Sequence, residues 1–278
     1  MKAKLFILQD ATRQWATLHR TLKAGQKGNG QVIVVQAPSI FQTAIQEVKG
    51  KIPGAYPDTL GLVLIGSVAE GNFKSDSDVD IVWIKSRKLR FRKLYEFEDK
   101  LDKRIQLIPF TRRQLEEHFR NSTTMAHAIK NGIVLYKRGD FISRLLERKI
   151  TLPDREWMRK WFEHWIGFYR MGLRDIRRNK GWHKRYCKKR CTCEVGDYLA
   201  RATVNFAILF SELHGFVPTT KDKVLKGFRK FGKKDLIPGL RVALRISRQD
   251  RPLSRKEAEK VYPTARWLRD RLARRFRS

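Results

Sequence analysis

The sequence predicts an α+β unit followed by an all-α helical bundle. Two observations carry this fold class. Short apolar runs, Gln31 to Gln36, Leu62 to Ile65, Arg104 to Phe110 and Ile133 to Tyr136, are bounded by turn or polar residues, the pattern of strands. From about Thr151 onward the apolar positions recur at helical spacing instead. The charge balance shifts near the same point: residues 1–140 hold 24 Lys+Arg against 14 Asp+Glu, and residues 141–278 hold 37 against 14. The expected organisation is an N-terminal extension over 1–36, the α+β domain over 37–142 and the basic bundle over 151–278.

Composition sets the outer limits. A chain of 278 residues is long enough to bury two cores, and 41% apolar content with 16 Phe and 7 Trp excludes a disordered chain. No apolar run approaches a membrane span, and the opening MKAKLFILQD has too short an apolar core for a signal peptide, so the expected location is cytoplasmic, with no membrane partner. The three cysteines fall within seven residues of one another and fit no disulfide framework. The formal net charge of +33 attracts polyanions through counterion release, which makes nucleic acid the expected partner. The oligomeric state is left open.

Residues 1–36 contain an apolar Leu5 to Leu8, a helix that Asp10 would cap and the flexible stretch AGQKGNG, and their role is left open. Ser39 to Val48 has helical spacing and is expected to stop at Gly50 and Pro53. The stretch Gly61 to Val82, GLVLIGSVAEGNFKSDSDVDIV, reads as a strand, a Gly66-Ser67 turn, a short segment and a second strand carrying Asp78 and Asp80. Period-2 geometry sends both carboxylates to one face, where like charges repel unless a cation sits between them, so the pair reads as a divalent-metal site. The Gly-Ser turn beside it lets backbone N–H groups and a hydroxyl approach phosphate oxygens. The combination suggests a nucleoside triphosphate (NTP) with Mg²⁺.

Gly66-Ser67-x-Ala69-x-Gly71, then five residues, then Ser77-Asp78-x-Asp80-Ile81, resembles the signature of the DNA polymerase beta-like nucleotidyltransferase superfamily in its minimal form. The resemblance implies a mixed sheet flanked by helices, two Mg²⁺ ions held by the catalytic pair Asp78 and Asp80, and nucleotide contacts from Gly66, Ser67, Gly71 and Ser77. It also implies a third carboxylate on the next strand, and the equivalent position here is Gln106. An amide is a poor ligand for a hard cation and no base. No shift within RIQLIPF supplies an acid, and Asp102 lies four residues away, roughly 13 Å along a strand. Lys85 to Lys93 carries six basic residues and leads into a helix from about Arg90; after the Arg104 strand come two helices and a closing strand.

In the C-terminal half, Thr151 or Asp154 is expected to cap a helix on which Trp157, Trp161 and Trp165 recur at i, i+4 and i+8, a stripe read as bundle core. The segment from Arg174 to Arg190 holds Arg174, Arg177, Arg178, Lys180, Lys184, Arg185, Lys188, Lys189 and Arg190, interleaved with Trp182, His183 and Tyr186. Cations mixed with rings suit unpaired RNA. His183, Cys187, Cys191 and Cys193 form a weak zinc candidate, since helical spacing would line up three of them rather than converge them on a point; free thiols are the favoured reading. Arg178 and His183 also match the Arg-x4–6-His pattern of HEPN-family ribonucleases, a short motif in an Arg-rich region. Glu194 to His214 is expected to be an amphipathic helix burying Val195, Leu199, Ala202, Phe206, Leu209 and Leu213. The following FVPTTKDKVLKGF resembles the HEPN-like or kanamycin-nucleotidyltransferase-like bundles that accompany minimal nucleotidyltransferases. A helix from about Leu236 to Ile246, a capping box Ser254-x-x-Glu257 and a basic terminal helix complete the bundle.

The leading expectation is transfer of a nucleoside monophosphate from an NTP to an acceptor hydroxyl, the acceptor being RNA or a tRNA-like end. An RNA-binding protein whose transferase fold is weakened by Gln106 is the first alternative, and a toxin–antitoxin-like module modifying a protein is the second.

Overall fold

The computed structural model describes residues 39–73, 77–87, 101, 105–178, 197–249 and 253–277. The elements expected within residues 1–36, the helix from Arg90, and most of the Arg174–Arg190 segment with its His183/Cys187/Cys191/Cys193 group lie outside the described residues. The chain divides into two compact units, Met1–Ile150 and Thr151–Ser278.

In the first unit, α1 (Ser39–Ala55) precedes β1 (Thr59–Ile65), α2 (Gly66–Glu70), β2 (Val79–Lys85), β3 (Ile105–Thr111), α3 (Arg112–Arg120), α4 (Thr124–Lys130), β4 (Ile133–Lys137) and α5 (Phe141–Glu147). The sheet order is β3-β2-β1-β4; β1 runs antiparallel to both β2 and β4, and β2 and β3 are parallel, so the sheet is mixed. Strand alternation sorts the side chains onto two cores. Leu62, Leu64, Ile81 and Trp83 bury one sheet face with Phe41, Ala44, Ile45 and Val48 of α1 and Val68 of α2. Val63, Ile65, Val82 and Ile84 bury the other with Leu115, Phe119, Ile129 and Phe141 of α3, α4 and α5. Gly61 shows how closely α5 is seated, because a Cβ there would fall 1.8 Å from Ile142 Cδ1.

One feature departs from local expectation. The first helix runs through Gly50 and Pro53 to Ala55 instead of stopping there. Ile52 is fully buried against the sheet, so packing of the last turn outweighs the two local stop signals. At the far end of β2, Lys85 is only 3% exposed. Its ammonium lies 4.5 Å from the centroids of both the Tyr56 and Trp83 rings and 3.1 Å from Asp58 Oδ1, while Trp83 Nε1 donates to Thr59 Oγ1 at 3.0 Å.

The second unit holds α6 (Arg155–Arg178), α7 (Tyr198–Leu213), α8 (Lys221–Lys230), a 3₁₀ turn (Lys234–Leu236), α9 (Ile237–Gln249) and α10 (Arg255–Arg277). Asp154 caps α6, its Oδ1 accepting from the Trp157 N–H at 2.9 Å. The Ser254/Glu257 capping box forms as expected: Ser254 N–H donates to Glu257 Oε2 at 2.9 Å and Glu257 N–H to Ser254 Oγ at 3.3 Å. α7 packs against α6, α9 and α10. It buries Ala200, Thr203, Val204, Ala207 and Phe210 as well as Leu199, Ala202, Phe206 and Leu209, so it is the central helix of the bundle rather than an amphipathic one.

The tryptophan stripe does not form the bundle core. Met158, Phe162 and Tyr169 are the large side chains buried among the described residues of α6, whereas Trp157 and Trp165 are half-buried and Trp161 is 36% exposed. Residues four apart drift by roughly 40° around a helix, so the tryptophans trace a band along the margin of the buried face. Trp157 stacks on Trp161 at 6.2 Å, and Trp165 meets Phe168 at 4.7 Å and packs against the edge of the core.

Candidate active site

The residues singled out in the first unit gather where β1 ends and β2 and β3 begin. Register pairs Ile65 with Asp80 on β2, and Asp80 in turn with Gln106 on β3. Gln106 therefore stands directly beside Asp80, on the sheet face that Val82 and Ile84 continue. Asp78 lies just ahead of the strand, which starts at Val79, and shares the parity of Asp80. Val79 between them is buried, while Asp80 is half-buried and Asp78 and Gln106 are exposed. The strand thus turns one side chain into the core and offers its acids on the other face.

Gly66 adopts φ +75°, the left-handed conformation in which a side chain is strained. A Cβ built on it would meet Asp80 Oδ2 at 2.4 Å, so the carboxylate occupies the space that only glycine leaves. Ser67 follows, half-buried, and its carbonyl accepts from Asn72 N–H at 2.9 Å. Gly71, also left-handed at φ +73°, closes α2. The Gly66 turn thus brings the backbone and the Asp80 carboxylate into one place.

Two carboxylates are a hard-oxygen donor pair suited to a divalent cation, and Gly66 leaves the room in which one of them sits. Among the described residues no group of three or more His, Cys, Asp or Glu side chains converges. Of the basic residues expected to meet RNA, Arg174 is exposed on α6 and Arg177 and Arg178 fall in its last turn. No helix among the described residues is long and apolar enough to cross a membrane.

The domain thus joins a mixed four-stranded sheet with helices on both faces to a Gly-Ser turn set against an Asp-x-Asp at the start of β2. The family described as "Polymerase beta, Nucleotidyltransferase" matches residues 51–140, and that part of the chain is a nucleotidyltransferase domain of this type. Among solved structures, the chain is similar to spectinomycin adenyltransferase AAD(9) from Enterococcus faecialis, described with ATP and spectinomycin, at 16% identity and a TM-score of 0.51, over 83% of this chain and 98% of that one. It also matches a nucleotidyltransferase-like protein from Exiguobacterium sibiricum 255-15 at 14% identity and a TM-score of 0.35, over 82% of this chain and 74% of that one. No curated protein matches this chain.

Proposed function

We propose that this protein transfers a nucleoside monophosphate from an NTP to a hydroxyl of RNA. The observation that carries the proposal is the Asp80 carboxylate seated over Gly66, with Asp78 ahead of it on the same parity. In the reaction, the acceptor hydroxyl oxygen bonds to the α-phosphorus, the bond from that phosphorus to the bridging oxygen breaks, and pyrophosphate leaves. Asp78 and Asp80 would hold Mg²⁺, which when bound offsets the charge of the triphosphate and of the attacking oxygen. The Gly66-Ser67 turn meets the phosphates with backbone and hydroxyl, and Asp80 is held to one position by the strand register and by the glycine beneath it. Gln106 can donate a hydrogen bond to an oxygen near Asp80 but cannot take the hydroxyl proton, so that proton passes to solvent.

The acceptor follows from charge. The similar spectinomycin enzyme is described with an antibiotic; the +33 balance of this chain repels cationic small molecules of the aminoglycoside kind and attracts a polyanion. ATP, with which that enzyme is described, is the first nucleotide to test. One observation favours a second reading: the neutral Gln106 beside Asp80 fits a transferase fold that binds RNA and turns over weakly.

Incubation with total RNA, Mg²⁺ and each labelled NTP separates the two. Label that enters RNA and disappears in Asp78→Asn supports transfer. RNA binding with no label from any nucleotide supports the binder and ends the transferase reading. Label entering protein instead would move the acceptor to a polypeptide.

A further inference from the structure

The second unit carries an open cleft of about 310 Å³ on α10, lined by Tyr262, Pro263, Arg266, Trp267 and Asp270. We infer that it binds an unpaired stretch of RNA by stacking bases on Tyr262 and Trp267 while Lys233, Arg266 and Arg271 hold the phosphates. The inference rests on the RNA acceptor proposed above and adds a site that the transfer chemistry does not require.

The aromatic half is unusual for a polar helix face. Tyr262 is 38% exposed, one of three large apolar or aromatic side chains so exposed among the described residues. Pro263 beside it is exposed too and offers a second flat apolar surface. Trp267 is half-buried, its ring braced from below by an edge contact with Phe210 at 5.3 Å. The ring lines the cleft with its ordering cost already met in the fold.

The charged half selects the ligand. Lys233 Nζ lies 5.6 Å from the Trp267 ring centroid and the Arg271 guanidinium 5.4 Å from it, so two cations flank the platform. α10 carries nine Lys or Arg and only three acids. Of those acids, Glu257 is committed to the helix cap and to Arg245 at 2.8 Å, and Asp270 to Arg269 at 2.5 Å, with Arg266 farther off at 3.9 Å. The exposed Arg266 and Arg277 lie within about 60° of Tyr262 around the helix and continue its face. The strip spans roughly 20 Å at the α-helical rise, longer than a free nucleotide can follow, and that length favours a strand. Unpaired strands expose base faces that a duplex hides, which matches open rings beside cations.

The test is fluorescence anisotropy of the full chain with a labelled unpaired RNA of about twelve nucleotides, against a blunt RNA duplex and free AMP. Tyr262→Ser is expected to weaken single-strand binding about tenfold, the loss of one stacked base, and to leave duplex binding unchanged. Tyr262→Phe is expected to restore it. Arg266→Gln with Arg271→Gln is expected to lower the slope of log affinity against log salt by about 1.4, two phosphate contacts on a single strand. Thermal unfolding reports whether each variant folds. Variants that unfold like the wild type and bind the strand equally well would overturn the cleft while leaving the RNA acceptor standing. A wild type that binds no RNA would overturn both. Binding of AMP that depends on Tyr262 and equals that of the strand would replace the strand with a free nucleotide.

Discussion

Gly66→Ala tests whether the fit of Asp80 against the turn is functional. The substitution places a methyl group 2.4 Å from Asp80 Oδ2, where ordinary contact begins at 3.4 Å, so the carboxylate must recede by about 1 Å. Misplacing a positioned group by that distance costs on the order of 100-fold in rate. Holding alanine at φ +75° adds about 1–2 kcal/mol of backbone strain, which lowers the unfolding midpoint by a few degrees. Gly139→Ala separates the two effects. Gly139 is in the same unit and also left-handed, at φ +70°, but nothing lies within 4 Å of the place a Cβ would take there. Both variants should lose similar stability, and only Gly66→Ala should lose nucleotide transfer, measured as initial rate of label incorporation at temperatures where both are folded. Equal rates in the two variants would show that the contact with Asp80 does not position it for chemistry.

Three further outcomes follow from the first unit. Gln106→Asp puts a carboxylate beside Asp80 and should raise the transfer rate by about tenfold or more, as a positioned base does; an unchanged or lower rate would mean that Gln106 does not occupy the base position. Burial holds the His118 imidazole below its usual pKa, opposed in part by Glu117, while its Nδ1 stands 2.9 Å from Thr123 Oγ1. Because the unfolded chain then binds the proton more readily, stability should be fully present above about pH 6.5 and fall as the pH drops below it, and His118→Gln should flatten that part of the unfolding-midpoint curve. Gly61→Ala drives a methyl into Ile142 Cδ1 and should cost about 1–3 kcal/mol; the added Ile142→Val removes that carbon and should return part of the loss in a double-mutant cycle by denaturant unfolding.

The candidate site was readable in the sequence because its constraints are local. A glycine that must turn left-handed, a serine after it and acids two apart on a strand are each set by neighbours a few residues away. The Ser254/Glu257 box was readable for the same reason. Where distant packing decides, the pattern misled. Gly50 and Pro53 are stop signals that the burial of Ile52 overrides. The tryptophan spacing revealed a stripe on α6 but not which edge of it faces α7, and α7 has polar Thr203 and Ser211 turned inward because their hydroxyls donate to the carbonyls of Leu199 and Ala207 at 2.7 and 2.8 Å. The α10 cleft was hidden as well, since Lys233 and Phe210 reach Trp267 from other parts of the bundle.

The box around Lys85 bears on the acids at the other end of the same strand. Lys85 belongs with Ile81 and Trp83 on one face of β2, and Asp80 belongs with Val82 and Ile84 on the other. Sliding β2 by a single residue would exchange the faces. The ammonium would leave Tyr56, Trp83 and Asp58 for the aliphatic packing of α3 and α4, and the carboxylates would swing toward α1. The buried cation therefore works as a proofreading peg: its lost partners add to the penalty that the apolar side chains of β2 already set against the misthreaded sheet.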